Sequence, residues 1–162
     1  MEIGCAFSGH RTIKQSHRAK ISPLIARAIE YAYNEGCRTF YSGGAVGFDT
    51  LAAQQVIRFR MTHPDVRLIL YLPCVDQDAK WSDAQKNMYA HLIREADEAV
   101  YISESYSPTC IKTRNEALAT LGDIMICYMS HRGSGTGQTV AIAQRLGQRI
   151  YNLYPTLEEN NL

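Results

Sequence analysis

The sequence lacks long hydrophobic runs, low-complexity stretches and any excess of one charge. No segment approaches the roughly 20 apolar residues of a membrane span, and the N-terminal MEIGCAFSGH lacks the basic start and longer apolar core of a secretory signal. Its 17 basic and 16 acidic residues leave a net charge of +1, whereas duplex-binding domains are usually strongly basic. These absences predict a cytoplasmic protein that contacts no membrane, and they disfavour nucleic acid as a partner.

Clustered metal ligands are also missing. The five cysteines contain no CxxC pair, and the five histidines are scattered along the chain. Zinc sites need grouped thiolates or imidazoles, so neither a metal site nor a disulfide framework is indicated. Cys5 and Cys127 fall inside apolar runs, where a thiol behaves as a small buried hydrophobe.

The length of 162 residues is close to the usual size of one domain. No composition shift marks an internal boundary, so residues 1–162 are expected to form a single domain. The nearest approach to a basic patch is the segment Arg11–Lys20, a pattern more typical of a solvated helix face than of a nucleic-acid surface.

Short apolar runs alternate with longer segments of helical periodicity. The predicted strands are Ile3–Phe7, Arg38–Ser42, Val66–Leu72, Ala99–Ile102, Ile124–Tyr128 and Arg149–Tyr154. The predicted helices are Ser22–Glu35, Phe48–Met61, Ser82–Ala96, Thr113–Leu121 and Gln138–Leu146. This alternation predicts an α/β fold, a single Rossmann-like three-layer domain with a mostly parallel sheet. In such sheets a ligand binds beyond the carboxyl ends of the strands.

Two glycine-rich turns stand where a predicted strand runs into a helix. The first is SGGAVGFD, from Ser42 to Asp49, and the second is HRGSGTGQTV, from His131 to Val140. Glycines permit positive φ and remove Cβ atoms that would block a phosphate, and a helix N-terminus favours an anion. Neither turn is a GxGxxG fingerprint or a P-loop. Each alone also suits a tight turn without a ligand, but together they favour a phosphate-bearing ligand.

Other strand ends carry weaker signals. Arg11 follows a Ser-Gly turn and is suited to pairing with phosphate. Trp81 could stack on a base or pack in the core, and the sequence favours neither. Arg114 and Asn115 are predicted to open a helix at the crevice rim, where they suit an anionic oxygen and a ribose or base edge; a solvated helix start explains them equally well. The candidate ligand-binding residues are Ser8, Gly9, Arg11, Ser42, Gly43, Gly44, Ala45, Gly47, Asp49, Trp81, Arg114, Asn115, Ser134, Gly135, Thr136, Gly137 and Thr139.

Taken in order, these motifs resemble the SLOG superfamily, named from DprA/SMF and the Lonely Guy proteins, and within it the YpsA-like family of bacterial and phage proteins. The matching segments are SGHR (Ser8–Arg11), SGGAVGFDTLAA (Ser42–Ala53), QDAKW (Gln77–Trp81), YSPTCIKTRN (Tyr106–Asn115) and SGTGQTV (Ser134–Val140). The resemblance covers nearly the whole chain. It implies a Rossmann-like fold and a nucleotide or nucleotide-derived ligand, such as an ADP-ribose-like compound.

One departure bears on catalysis. The resemblance to Lonely Guy enzymes, which cleave nucleoside monophosphates with an arginine and a glutamate in PGGxGTxxE, puts Thr139 at the glutamate position and Arg114 at the arginine. A hydroxyl cannot do the general-base work of a carboxylate, and the sequence does not show whether Asp49 or Glu116 replaces it. Catalytic residues therefore stay unassigned.

Three functions follow in order of preference. The first is a sensor, sequestering or regulatory protein that binds a nucleotide-derived small molecule. The second is a nucleotide N-glycosidase or phosphohydrolase, and the third is single-stranded DNA processing by analogy with DprA. No cofactor is predicted beyond the nucleotide-type ligand, and whether the chain forms a homo-oligomer stays open.

Overall fold

The computed structural model describes residues 3–159, in which strands and helices alternate along the chain. The strands are β1 (Ile3–Gly9), β2 (Cys37–Ser42), β3 (Arg67–Cys74), β4 (Glu98–Ser103), β5 (Ile124–Tyr128) and β6 (Arg149–Asn152). The α-helices are α1 (Ile21–Asn34), α2 (Phe48–Arg60), α3 (Asp83–Glu95), α4 (Cys110–Leu121), α5 (Gly135–Arg145) and α6 (Tyr154–Glu159). A short 3-10 helix covers Gln15–His17.

All six strands form one parallel sheet in the order β4-β3-β2-β1-β5-β6. The chain therefore builds outward from β1 in one direction and then crosses to the other side of β1 with β5. The register along this switch runs from Cys5 opposite Ile124 to Gly9 opposite Tyr128. The predicted Rossmann-like α/β fold is confirmed, and the β1–β5 junction is where such a sheet opens a crevice.

Alternate residues of each strand point to opposite faces of the sheet, and helices cover the buried residues on both faces. Cys5 and Phe7 belong to the larger buried cluster, which is built with α1, α2, α3 and α6. Ala6, between them, belongs to a smaller cluster with residues of α4 and α5. The site at the strand ends therefore rests on a core that is packed from both sides.

Several predicted boundaries differ from the observed ones. Helix α5 begins at Gly135, three residues earlier than predicted, because the Ser134 hydroxyl caps it by accepting the Gly137 N–H at 3.1 Å. The last strand was predicted to reach Tyr154 but ends at Asn152. There the Asn152 side chain accepts the N–H groups of Met129 and Tyr154, and the six-residue α6 follows.

Helix α4 also begins three residues early, at Cys110 instead of Thr113. Arg114 and Asn115 consequently lie in its second turn, and the expectation that they open the helix was wrong.

The basic segment Arg11–Lys20 is solvated as predicted, with eight of its ten residues exposed and only Ile13 and His17 buried, but it is not an α-helix face. It holds a 3-10 turn in which His17 is completely buried, with its Nδ1 at 2.8 Å from the Tyr128 hydroxyl. Lys14 is paired with Glu158 at 2.6 Å. The segment thus contacts α6 through Lys14 and His17, which both meet Glu158, while Arg11, Arg18 and Lys20 stay exposed.

Each of the five cysteines is a buried free thiol. Among residues 3–159, no helix combines the length and the apolar character that crossing a membrane requires. The expected domain 1–162 includes residues 1–2 and 160–162, which lie outside the described residues.

Candidate functional site

A cleft of about 250 Å³ opens beyond the carboxyl ends of β1 and β5, where the strand order switches. Both predicted glycine-rich turns contribute to it, so their expected convergence at one rim is observed. Ten of the predicted site residues line the cleft: Ser8, Gly9, Arg11, Ala45, Asp49, Arg114, Asn115, Ser134, Gly135 and Thr136.

The N-terminus of α5 forms one wall of this cleft through Ser134, Gly135 and Thr136. The first N–H groups of a helix have no intrahelical carbonyl to bind, and here the Ser134 side chain takes up the Gly137 N–H alone. A Cβ added at Gly135 would meet no heavy atom within 4 Å. This helix end therefore borders the cleft with open space beside Gly135, a setting that favours an anion.

Two other residues of the same turn lie behind the cleft wall. Gly137 is packed against the Arg132 carbonyl, where a side chain has no room. Thr139 is 1% exposed, and its hydroxyl donates to the Gly135 carbonyl at 3.0 Å. Gly137 and Thr139 do not line the cleft.

The glycines of the turn SGGAVGFD serve the fold of the loop. Gly44 has φ +68° and a Cβ there would lie 2.5 Å from Leu72 Cδ2, while Gly47 has φ +82° and packs on the Arg11 carbonyl. Ser42 is fully buried, where its hydroxyl donates to the Asp49 carbonyl at 3.0 Å and accepts the Gly44 N–H at 3.2 Å. These residues hold the loop together and do not line the cleft.

Asp49 occupies the N-terminal turn of α2 with its own carboxylate. The carboxylate accepts the Ala45 N–H at 3.3 Å, and the side chain is buried at 6% exposure. Burial raises the pKa of Asp49 to about 6, although Arg114, the Ala45 N–H and Arg11 pull it down. The positive end of α2, predicted to receive a phosphate, is already occupied by a negative group of the protein.

Arg114 clamps the loop as well as lining the cleft. Its Nη1 donates to the Gly43 carbonyl at 2.6 Å and its Nε donates to the Asn115 side chain at 2.8 Å. Burial lowers the pKa of Arg114, and Asp49 opposes that shift. A Cβ on Gly43 would lie 2.6 Å from Arg114 Nη1 and 2.9 Å from Asp49 Oδ2. Gly43 is thus the residue that lets both charged groups approach the loop.

A second cavity of about 490 Å³ adjoins the cleft and shares Arg11 and Ile111 with it. Trp81 lines this second cavity and not the first. Its ring also packs edge-on against Tyr89, with 5.0 Å between the ring centroids. Trp81 therefore packs against the protein and also lines a cavity, and the prediction that it stacks on a base stays a prediction.

Four lining residues were not predicted. These are Phe7, His10, Ile111 and Leu118. The last two share one face of α4 with Arg114 and Asn115, since all four follow helical spacing, and that periodicity was a usable signal. His10 follows directly after Gly9 in the turn after β1.

His10 belongs to a small polar cluster at the rim. Its Nε2 accepts the Ser130 N–H at 2.8 Å, and its ring stacks on His131 with 5.2 Å between centroids. Burial, followed by the nearby His131, lowers the pKa of His10. A neutral imidazole with its Nε2 already engaged adds polarity to the cleft but little positive charge.

Solved structures share the fold at low sequence identity. DNA processing protein A (DprA) from Streptococcus pneumoniae superposes with a TM-score of 0.64 at 18% identity, over 91% of this chain and 49% of that one. DprA from Helicobacter pylori, solved in work on its single-stranded DNA binding mode, gives 0.64 at 20% identity over 98% and 73%. This chain thus spans about half of the pneumococcal protein.

The match to sequence relatives extends over most of their length. The SPbeta prophage-derived protein YoqJ of Bacillus subtilis is 27% identical over 146 residues, 82% of this chain and 85% of YoqJ. A UPF0398 protein of Halalkalibacterium halodurans is 24% identical over 154 residues, 91% of this chain and 77% of the relative. The family model YpsA, described as the YspA SLOG family, matches residues 8–154, which include every residue of the cleft except Phe7. The chain belongs to this YpsA family of SLOG proteins.

Proposed function

We propose that this protein binds a nucleotide or nucleotide-derived molecule and acts as a sensor, sequestering or regulatory protein. The observation that carries the proposal is the open N-terminus of α5 at the sheet's switch point, with empty space in front of Gly135. A phosphate there would accept the N–H groups of Gly135 and Thr136. The buried thiols fit a reducing cytoplasm.

The charges around this point suit an anion held next to a polar sugar. Arg11 and Arg114 line the cleft together with the Asn115 side chain. The volume of about 250 Å³ is below the roughly 300–1,000 Å³ of sites that enclose a whole small molecule. The cleft therefore takes the phosphate and sugar portion of a larger ligand.

A thermal-shift panel on the purified protein tests the proposal. The panel contains adenine and guanine nucleotides, ADP-ribose, NAD and cyclic nucleotides, each matched to its unphosphorylated nucleoside. A binding nucleotide at 100 times its Kd should stabilise the protein by roughly 2.7 kcal/mol, and its nucleoside at the same concentration should stabilise it less. Native mass spectrometry of fresh protein would reveal a carried-over ligand and count the subunits of a homo-oligomer. Equal responses to nucleotide and nucleoside would refute the phosphate site.

An N-glycosidase is the second candidate, and Asp49 is the observation in its favour. Thr139 is turned away from the cleft, but the Asp49 carboxyl lines it beside Arg114 and has a pKa near 6. A carboxyl of that pKa can exchange protons near neutral pH. Base release from adenosine monophosphate that falls about 100-fold or more in Asp49→Asn would favour the enzyme over the binding protein.

Single-stranded DNA binding is a third candidate because a neighbour of the fold, DprA of Helicobacter pylori, has a described single-stranded DNA binding mode. The near-zero net charge of +1 argues for weak binding at most. Anisotropy of a labelled oligonucleotide at two salt concentrations decides the point, since phosphate contacts make affinity fall steeply with salt.

A further inference from the structure

The second cavity differs from the phosphate cleft in the chemistry of its walls. Two aromatic side chains, Trp81 and Tyr106, line its 490 Å³ together with the loops that follow β3 and β4. Tyr106 is 65% exposed, so its ring is accessible to a molecule in the cavity. Aromatic walls of this kind are suited to a flat, apolar face.

The walls are held in place by hydrogen bonds between the two loops. The Tyr106 N–H donates to Asp76 Oδ1 at 3.1 Å, and the Val75 N–H donates to the Glu104 carbonyl at 3.1 Å. Trp81 is fixed from behind by Tyr89. The walls of the cavity are therefore held by contacts between two loops and by ring packing.

Gln77 adds a polar side chain to the cavity wall. Its Nε2 donates to the Tyr89 hydroxyl at 3.0 Å. Among the described residues, its buried Oε1 has no hydrogen-bond partner. A buried acceptor without a partner is costly, so turning this amide toward the cavity to accept an N–H from a bound ring would be favoured.

We infer that this second cavity binds the base of the nucleotide whose phosphate lies at the α5 N-terminus, an inference that rests on the proposed function. The two spaces are neighbours, since Arg11 and Ile111 line both. Aromatic stacking combined with a side-chain amide on the base edge is a common way for proteins to bind an unpaired base. The base stacks against Tyr106 and Trp81, and Arg11 lies between the base and the phosphate.

The test compares adenosine 5′-monophosphate with ribose 5-phosphate, which has the same phosphate and sugar but no base. Isothermal titration should give a Kd roughly 5 to 150 times lower for the nucleotide, the range expected for stacking of one base. Trp81 is the single tryptophan of the chain, so its fluorescence reports directly on this cavity. The nucleotide should change its emission and ribose 5-phosphate should not.

Tyr106→Ala should bring the Kd of the nucleotide toward that of ribose 5-phosphate while leaving the latter unchanged. Tyr31→Ala is the matched control, because Tyr31 is 43% exposed and lines neither space. If both probes bind equally and Trp81 emission is unaltered, the base site is wrong while the phosphate site stands. If neither probe binds, the proposed function fails and the inference with it. Equal weakening of both probes by Tyr106→Ala would also overturn the base site.

Discussion

A methyl group added at Gly135, which lines the cleft, would occupy open space there without touching the rest of the protein. No heavy atom lies within 4 Å of that Cβ position, and Gly135 is not among the glycines with positive φ. Because Gly135 is the first residue of α5, alanine should favour the helix, by at most about 0.5–1 kcal/mol. For a domain of this size that corresponds to a Tm between unchanged and about 4 °C higher.

The effect on ligand binding should have the opposite sign. A nucleotide at 100 times its Kd stabilises the wild type by roughly 2.7 kcal/mol, about 5–11 °C in Tm. If the methyl group displaces the phosphate and raises the Kd about 100-fold, the same concentration leaves roughly 0.4 kcal/mol, or 1–2 °C. The expected result is a variant as stable as the wild type that no longer responds to the nucleotide.

Gly133→Ala is the matched control for this experiment. Gly133 lies in the same turn, its Cβ position is 4.0 Å from the nearest atom of His131, and it does not line the cleft. Its melting temperature and its nucleotide response should both follow the wild type. If Gly135→Ala keeps the full nucleotide shift, the phosphate does not lie at the α5 N-terminus and the proposed site is refuted.

Three further predictions concern the loop and its charges. Gly44→Val should lower the Tm through the contact with Leu72 and the φ of +68°, at a cost of roughly 2–5 kcal/mol in thermal unfolding; an unchanged Tm would contradict this packing. In the folded protein the pKa of Asp49 is about 6, against an ordinary value of 3.8, so the folded state holds this proton more tightly. The stabilisation that the proton gives to the folded state is complete below about pH 4 and is lost as the pH rises through 6. The free energy of unfolding of the wild type relative to Asp49→Asn, from urea titrations, should therefore fall between these pH values and not stay constant. Arg114→Met should cost about 1.5–3 kcal/mol because it removes the charge-assisted hydrogen bond to the Gly43 carbonyl. It also removes the charge that opposes the burial of Asp49, so adding Asp49→Asn should recover about 0.5–3 kcal/mol; strictly additive losses in urea unfolding would disprove the coupling.

Most of the fold could be predicted from periodicity because the sheet is parallel and buried. The strand Ile124–Tyr128 was predicted to the residue, and α1 ends as expected before Gly36, whose φ is +111°. The start of α4 was missed because Thr109 makes no side-chain cap that would mark it. Helix α6 was missed because its six residues are too few to show a period.

The site was predictable in position but not in detail. Parallel strands end at one edge, so residues that follow them in sequence meet in space. A glycine, however, is selected for any of three reasons: a positive φ, a close neighbour or a ligand. Gly44 has a positive φ and Gly43 has close neighbours, whereas Gly135 lines the cleft and has open space at its Cβ position. Sequence spacing cannot separate these reasons, since each depends on which atoms lie opposite the missing Cβ.

The two glycine-rich turns look alike in sequence but differ in the charge of the helix turn that follows each of them. Helix α2 carries Asp49 in its first turn, whereas α5 has no acidic residue there. A carboxylate on the α2 N-terminus satisfies the helix dipole from within the protein and repels a second anion brought beside it. A ligand with one phosphate at each helix end would place one of them against Asp49. The arrangement instead favours one phosphate at α5, with Arg11 positioned to meet any further negative group toward the Trp81 side.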